Sequence, residues 1–221
     1  MTSAETHAAN ILKEIRRNVV ADSALFGERL KTEAAMPESA GYSDLFMDAC
    51  NGSADRDSGG ADHSCRAATG GAASGGVAEK NCTIALGIEY IFEGYLLHYG
   101  ESRLLGPDDG HFHLLAGDYM YARGLEEIAQ LEDLACIKAL AELVQVCSFI
   151  HCEKLDPGLA AKAWAVTALE LAARVSSDWE MAISGMPAFD ELEKLDGMLE
   201  ELMDASLRER FSSIEAEFHG S

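Results

Sequence analysis

Residues 84–99 read Ile-Ala-Leu-Gly-Ile-Glu-Tyr-Ile-Phe-Glu-Gly-Tyr-Leu-Leu-His-Tyr, a stretch with no solvated side. At about 100° per residue, Ile84, Leu86, Ile88, Tyr90, Ile91, Phe92, Tyr95, Leu96 and Leu97 surround a helix, which must therefore sit at the centre of its domain. Glu89, Glu93 and His98 interrupt the run, and it is shorter than a bilayer requires, so it reads as a core helix and no membrane span. Gly87 and Gly94 share one strip, seven residues apart, and permit close approach of a second helix. Glu89 and Glu93 share another, one turn apart. Paired acids on a central helix need a counter-charge, so they bind a divalent cation, face a polar cavity, or emerge at an edge of the bundle.

The rest of the chain supplies helices to pack around this centre. Residues 5–35 carry apolar side chains at helical spacing with a polar break at Asp22-Ser23, which predicts one broken helix or two. Further helices are predicted over 111–131, 134–154, 157–184 and 188–218, with Asp156 as an N-cap and Pro157 in the first turn of its helix. Between them, 51–80 is a Gly/Ala/Ser-rich stretch with too little apolar area to offset its ordering entropy, and is expected to be a flexible loop. No βαβ alternation and no fixed-period repeat is present. The expected architecture is all-α: one domain over 1–221, six to eight helices around a single core.

Charge narrows the partners. With 38 acidic against 17 basic side chains, the formal charge is −21, which repels a nucleic-acid backbone and an anionic membrane surface. An acid excess of this kind suits a salt-adapted cytoplasm and equally an ordinary solubility device. Six cysteines without a CxxC pair or a dense framework read as reduced thiols. Without a basic segment followed by an apolar one at the N-terminus, the expected location is cytoplasmic.

Two further charges stand out. Leu114, Asp118, Tyr121, Leu125 and Ile128 recur at helical spacing, placing Asp118 within an apolar stripe. Lys162 does the same with Val166, Leu169 and Ala173. The two either face a common cavity or are a hydrogen-bonded core acid and a snorkelling lysine. His111 and His113 beside Asp108-Asp109, and Cys147, His151 and Cys152, are weak candidates for transition-metal ligation and read better as capping and packing residues. No phosphate-binding Gly loop, Gly-x-Ser-x-Gly elbow or His-Glu-x-x-His motif occurs.

Taken in order, Ile88-Glu-Tyr-Ile-Phe-Glu-Gly-Tyr-Leu-Leu-His98, then Leu114-Leu-Ala-Gly-Asp-Tyr-Met-Tyr-Ala-Arg-Gly-Leu125, then Leu159-Ala-Ala-Lys-Ala-Trp-Ala-Val-Thr-Ala-Leu169 resemble the middle of a trans-isoprenyl diphosphate synthase of the polyprenyl synthetase family. The resemblance spans about 83–175. It implies a shortened isoprenoid synthase fold, with Glu89 and His98 leading into the first aspartate-rich motif, Gly117-Asp118 as the family's Gly-Asp helix start, and Lys162 as the Lys of its Lys-Thr pair. Together with Glu93, these are the candidate cavity or substrate-binding residues.

The departures bear on catalysis. Where active members carry His-Asp-Asp-x-x-Asp, this chain reads His98-Tyr-Gly-Glu-Ser-Arg103; residues 36–50 hold no basic group to match the family's Gly-Gly-Lys-Arg; Ala163 follows Lys162; and the acids of Ala188-Phe-Asp-Glu-Leu-Glu-Lys-Leu-Asp-Gly197 are scattered. Ionising an allylic diphosphate needs divalent cations and basic groups against a leaving group of about three negative charges. The resemblance thus implies a non-catalytic regulatory or small subunit, without catalytic or metal residues, that pairs with a catalytic isoprenyl diphosphate synthase or with itself. The alternatives are an active prenyltransferase or terpene cyclase with a Mg site rebuilt from Glu89, Glu93, Glu101 or Asp118, and a module that binds a prenyl chain or other lipid.

Overall fold

The computed structural model describes residues 3–32, 41–54, 76–107, 110–177 and 182–218. Among the described residues the chain is helical, with nine helices and no strand: α1 (Ser3–Asp22), α2 (Ala24–Gly27), α3 (Tyr42–Ala54), α4 (Val77–Tyr99), α5 (His111–Ala129), α6 (Leu134–Cys152), α7 (Gly158–Ser176), α8 (Lys194–Leu202) and α9 (Ala205–Phe218). Contacts gather them into two compact units, one drawn from Met1–Asp44 and Ala61–Leu131, the other from Leu45–Gly60 and Glu132–Ser221. Each unit has a helix buried on almost every side.

In the first unit that helix is α4, whose residues from Ile84 to Leu97 are buried apart from the half-buried Leu86. Its main partner is α5, and four glycines set their separation. A Cβ on Gly87 would lie 2.6 Å from Ile128 Cδ1, and one on Gly94 2.7 Å from the Tyr121 ring. On the facing helix, a Cβ on Gly124 would lie 2.8 Å from the Gly87 carbonyl, and one on Gly117 2.5 Å from His98 Nε2. Backbone therefore meets backbone along this seam. The chain enters from α1, broken at Ser23 as its polar pair predicts, and α1 packs Ile11, Leu12, Ile15 and Val19 into the core.

In the second unit α7 is central, with Trp164 and ten alanine, valine and leucine side chains buried from Ala160 to Val175. Asp156 Oδ1 accepts the Gly158 N–H at 3.0 Å with Pro157 already helical, as the capping pattern predicts. Helix α6 buries the stripe Cys136, Ala139, Leu140, Leu143, Val146, Cys147 and Ile150 at three- and four-residue spacing. By length and composition α6 is also the one described helix apolar enough to cross a membrane. Asp133 caps it, accepting from the Ala135 and Cys136 amides, and binds Arg174 of α7 through Nε at 2.9 Å and Nη2 at 2.8 Å.

Several boundaries differ from the sequence expectation. Residues 51–54 end α3 and 77–80 begin α4, while 55–75, the bulk of the expected loop, lie outside the described residues, as do Asp108 and Asp109. The predicted helix 157–184 stops at Ser176, where Ser176 and Ser177 hydroxyls turn back onto the carbonyls of Ala172 and Arg174. The predicted helix 188–218 is two, because Met203 is extended (φ −101°, ψ 129°) and Asp204 restarts the chain as an N-cap, its Oδ1 accepting the Leu207 amide at 2.9 Å. The cysteines are not all reduced thiols: Cys50, Cys136, Cys147 and Cys152 lie outside any disulfide, but Cys82 is disulfide-bonded. An isolated bridge leaves no spacing signature, and cysteine usage therefore does not assign the chain to a reducing compartment.

Candidate functional site

Two acids on the buried stretch of α4 oblige the chain to bring a cation to them. Helix α4 ends at Tyr99, Gly100 donates back to the Leu96 carbonyl at 2.9 Å, and the chain reverses. The returning segment is pinned to the residues after α2: Lys31 N–H donates to Leu104 O at 2.8 Å, Gly106 N–H to Arg29 O at 2.9 Å, and Lys31 Nζ to Ser102 O at 2.6 Å. This anchoring carries Arg103 inward. Its Nη2 lies 2.6 Å from Glu89 Oε2 and its Nε 3.1 Å from Glu93 Oε2, with the guanidinium 4.8 Å from the Phe92 ring centre.

Every carboxylate oxygen of the pair has a donor. Glu89 Oε1 accepts the Ser43 N–H at 3.0 Å, and Glu93 Oε1 accepts the Leu104 N–H at 3.1 Å and the Ser102 hydroxyl. Ser102 Oγ in turn accepts from Leu104 and Leu105 N–H. Glu89 and Glu93 are 0% exposed and Arg103 4%. Burial pushes the Glu89 carboxyl above its ordinary range more strongly than Arg103 and Ser43 hold it down. Burial disfavours the Arg103 cation, but Glu89 and Glu93 outweigh it and hold the guanidinium charged.

These observations decide among the three options left open for the acid pair. It does not emerge at an edge, and its counter-charge is a side chain. A divalent cation does not fit between Glu89 and Glu93, because the Arg103 guanidinium occupies the position from which a metal would reach Oε2 of both. The cluster is a closed ionic brace tying the end of α4, the returning loop and the start of α3.

The remaining candidates make other contacts, each within its own unit. His98 stacks on Tyr121 (5.2 Å between ring centres, 18° between planes), and its Nε2 is 3.4 Å from Asp118 Oδ1, an ion-pair distance without hydrogen-bond alignment. Asp118 is 72% exposed, which corrects its expected place inside an apolar stripe. The buried face of α5 is Ala116, Gly117, Met120, Gly124 and Ile128. Glycines add nothing to an apolar pattern, yet here they face the partner helix, while Leu114 and Leu115 are exposed. Lys162, in the other unit, is 28% exposed and bound to Asp196 at 2.6 Å, so it neither snorkels alone nor lacks an acid. Asp118 and Lys162 are each engaged within their own unit.

Of the weaker clusters, His113 Nε2 lies 2.9 Å from the Gly106 carbonyl, and Cys147 is buried with its thiol pushed up by burial. Among the described residues no three His, Cys, Asp or Glu side chains gather as metal ligands. Arg103 itself carried a sequence signal that periodicity does not weigh: a cation ten residues beyond the second of two buried acids, after a helix-ending glycine. Ser43 and Ser102 carried none. No family model, no curated protein and no solved structure matches the chain.

Proposed function

We propose that the chain is a non-catalytic regulatory or small subunit, resembling isoprenyl diphosphate synthases, that acts by pairing with an active synthase. The observation that carries this reading is the Arg103 guanidinium bound between Glu89 and Glu93. In the resembled family the segment after the His98 position supplies acids that hold magnesium. Here the same segment supplies a cation that is consumed inside the protein; among the described residues no three acids, histidines or cysteines gather as metal ligands, and residues 36–50 carry no basic grip for a diphosphate. An enzyme with a rebuilt Mg site would have to do without Glu89 and Glu93, leaving Glu101 and the exposed Asp118. A helical scaffold retains its partner surface when its site is lost, which favours a cytoplasmic partner protein over a lipid-binding module.

The test is co-expression with a synthase whose aspartate-rich motifs are intact, followed by purification on a tag carried by this chain alone. Stable co-purification, altered product length or rate of the synthase, and no turnover of isopentenyl and allylic diphosphates by this chain with magnesium are expected. Product formed by this chain alone would overturn the proposal.

A further inference from the structure

Independently of any prenyl chemistry, α7 carries an acid in the middle of its buried run. Glu170 is 8% exposed, flanked by Leu169 and Leu171. Its Oε1 accepts the Ser184 N–H at 3.2 Å, and the Gly185 N–H also points to the carboxyl. Its Oε2 is buried without a hydrogen-bond partner. Across from it stands Glu142 of α6, whose Oε2 lies 3.0 Å from where a Cβ on Gly185 would sit. Gly185 has φ +81°, so only glycine supplies both the backbone conformation and the space that bring its amide to Glu170. The same chain is stapled once more by Phe189 stacking on Phe149 of α6 (4.5 Å, 11°).

A carboxyl that takes the Ser184 hydroxyl and two amides yet keeps Oε2 buried without a hydrogen-bond partner, beside a second carboxylate, is an arrangement that suits the neutral acid. We propose that Glu170 is a protonation latch: with a proton on Oε2 it holds the segment Ala182–Pro187 on α7, and loss of that proton to water loosens the segment. Among the described residues, the charged groups that bear on the latch are few. From α6 there is Glu142, itself 3.4 Å from Lys138 Nζ; one turn along α7 Arg174 is engaged by Asp133; the segment offers the Ser184 hydroxyl and the Ser184 and Gly185 amides; and on α8 Lys194 pairs with Glu191.

Burial above all, with a smaller push from the charge of Glu142, holds the Glu170 carboxyl above the ordinary range, against the pull of the Ser184 hydroxyl and the Ser184 and Gly185 amides. The sign follows from this. An acid raised in the latched state stabilises that state fully below the free-carboxyl range, and the stabilisation is lost as pH rises through the raised value, by up to about tenfold in the latch equilibrium per pH unit.

The experiment is amide exchange of Ser184 and Gly185 in the full chain by NMR between about pH 4.5 and 8, corrected for intrinsic exchange, with the Leu195 and Leu199 amides as a reference for α8. Protection of the two latch amides should fall with pH while the reference does not. Glu170→Gln, which keeps the shape and has no proton to lose, should make protection independent of pH, and Glu142→Gln should shift the midpoint downward. A flat profile in the wild type, or the same slope in Glu170→Gln, overturns the proposal. The carboxyl carbon shift of Glu170 in the unmodified chain gives a variant-free check, since a midpoint in the ordinary glutamate range would equally sink it.

Discussion

Replacing Arg103 with methionine keeps most of the side-chain volume and removes the charge from between Glu89 and Glu93. Both acids are fully buried, and Arg103 donates a charge-assisted bond to Oε2 of each. Removing one partner of a buried ion cluster costs about 3–5 kcal/mol, because the charge left behind is uncompensated. That is a large share of a typical domain stability of about 5–15 kcal/mol. The loss has a distinctive dependence on pH. Without the guanidinium the Glu89 carboxyl, already raised by burial, rises further, so the variant is least impaired below the ordinary glutamate range and loses stability as pH rises through the raised value, at up to about 1.4 kcal/mol per unit. Native-state amide exchange on α4, from Ile88 to Leu96, reads this unit directly. The expected result is a loss of about 3–5 kcal/mol at pH 8 that shrinks clearly at pH 5, with much of it restored in Glu89→Gln/Glu93→Gln/Arg103→Met, where no charge remains to be matched. A loss under about 1 kcal/mol at pH 8, or one equal at both pH values, would refute the argument that the triad is a closed brace.

Two other perturbations test the packing. Gly124→Ala places a methyl 2.5 Å from Ile91 Cγ1 and 2.8 Å from the Gly87 carbonyl, and should cost about 1–3 kcal/mol in urea unfolding. Gly197→Ala, within α8 with nothing inside 4 Å, should instead stabilise by up to about 1 kcal/mol through helix propensity; similar signs at the two sites would contradict the seam described. Asp133 is pushed up by burial but held below the ordinary carboxylate range by Arg174 and the Ala135 and Cys136 amides taken together. Its contribution is therefore present above the unfolded-state value and lost as pH falls below it, and Asp133→Ala should lower stability by about 1–2 kcal/mol at pH 7 and progressively less in acid. A loss that does not diminish in acid would count against that linkage.

What the sequence made legible follows from which physical signals it writes locally. An apolar run with no polar side marks α4 as central, and glycines seven residues apart on it mark a close helix contact. The need of Glu89 and Glu93 for a counter-charge was equally plain, but not that Arg103 answers it, since the return loop is positioned by pairing with Arg29 and Lys31, far away in sequence. Asp118 was misplaced because a stripe built on Leu114 and Leu125 ignores the glycines beside them, and an apolar scale cannot see a face made of backbone. Helix α3 went unread since Tyr42, Leu45, Phe46 and Met47 form a short adjacent cluster before a Gly- and Ser-rich stretch, too brief for a period to emerge. The second buried centre, α7, is built largely of alanine, whose small area understates how completely it is enclosed. Glu170 was hidden for the same reason, its burial resting on a segment fourteen residues away that no helix pattern includes.

The paired glycines of α4 and α5 work as a two-pin key. Each helix carries two notches at the same spacing of seven residues, about 10 Å along the axis, so an antiparallel pair engages both only when Gly87 meets Gly124 and Gly94 meets Gly117. A slip of one turn in either direction drives Ile91, Ile128 or Tyr121 against backbone. Registry is thus enforced by shape alone, with no side-chain entropy spent at the notches and no polar group required, and it seats His98 over Gly117 each time the chain folds.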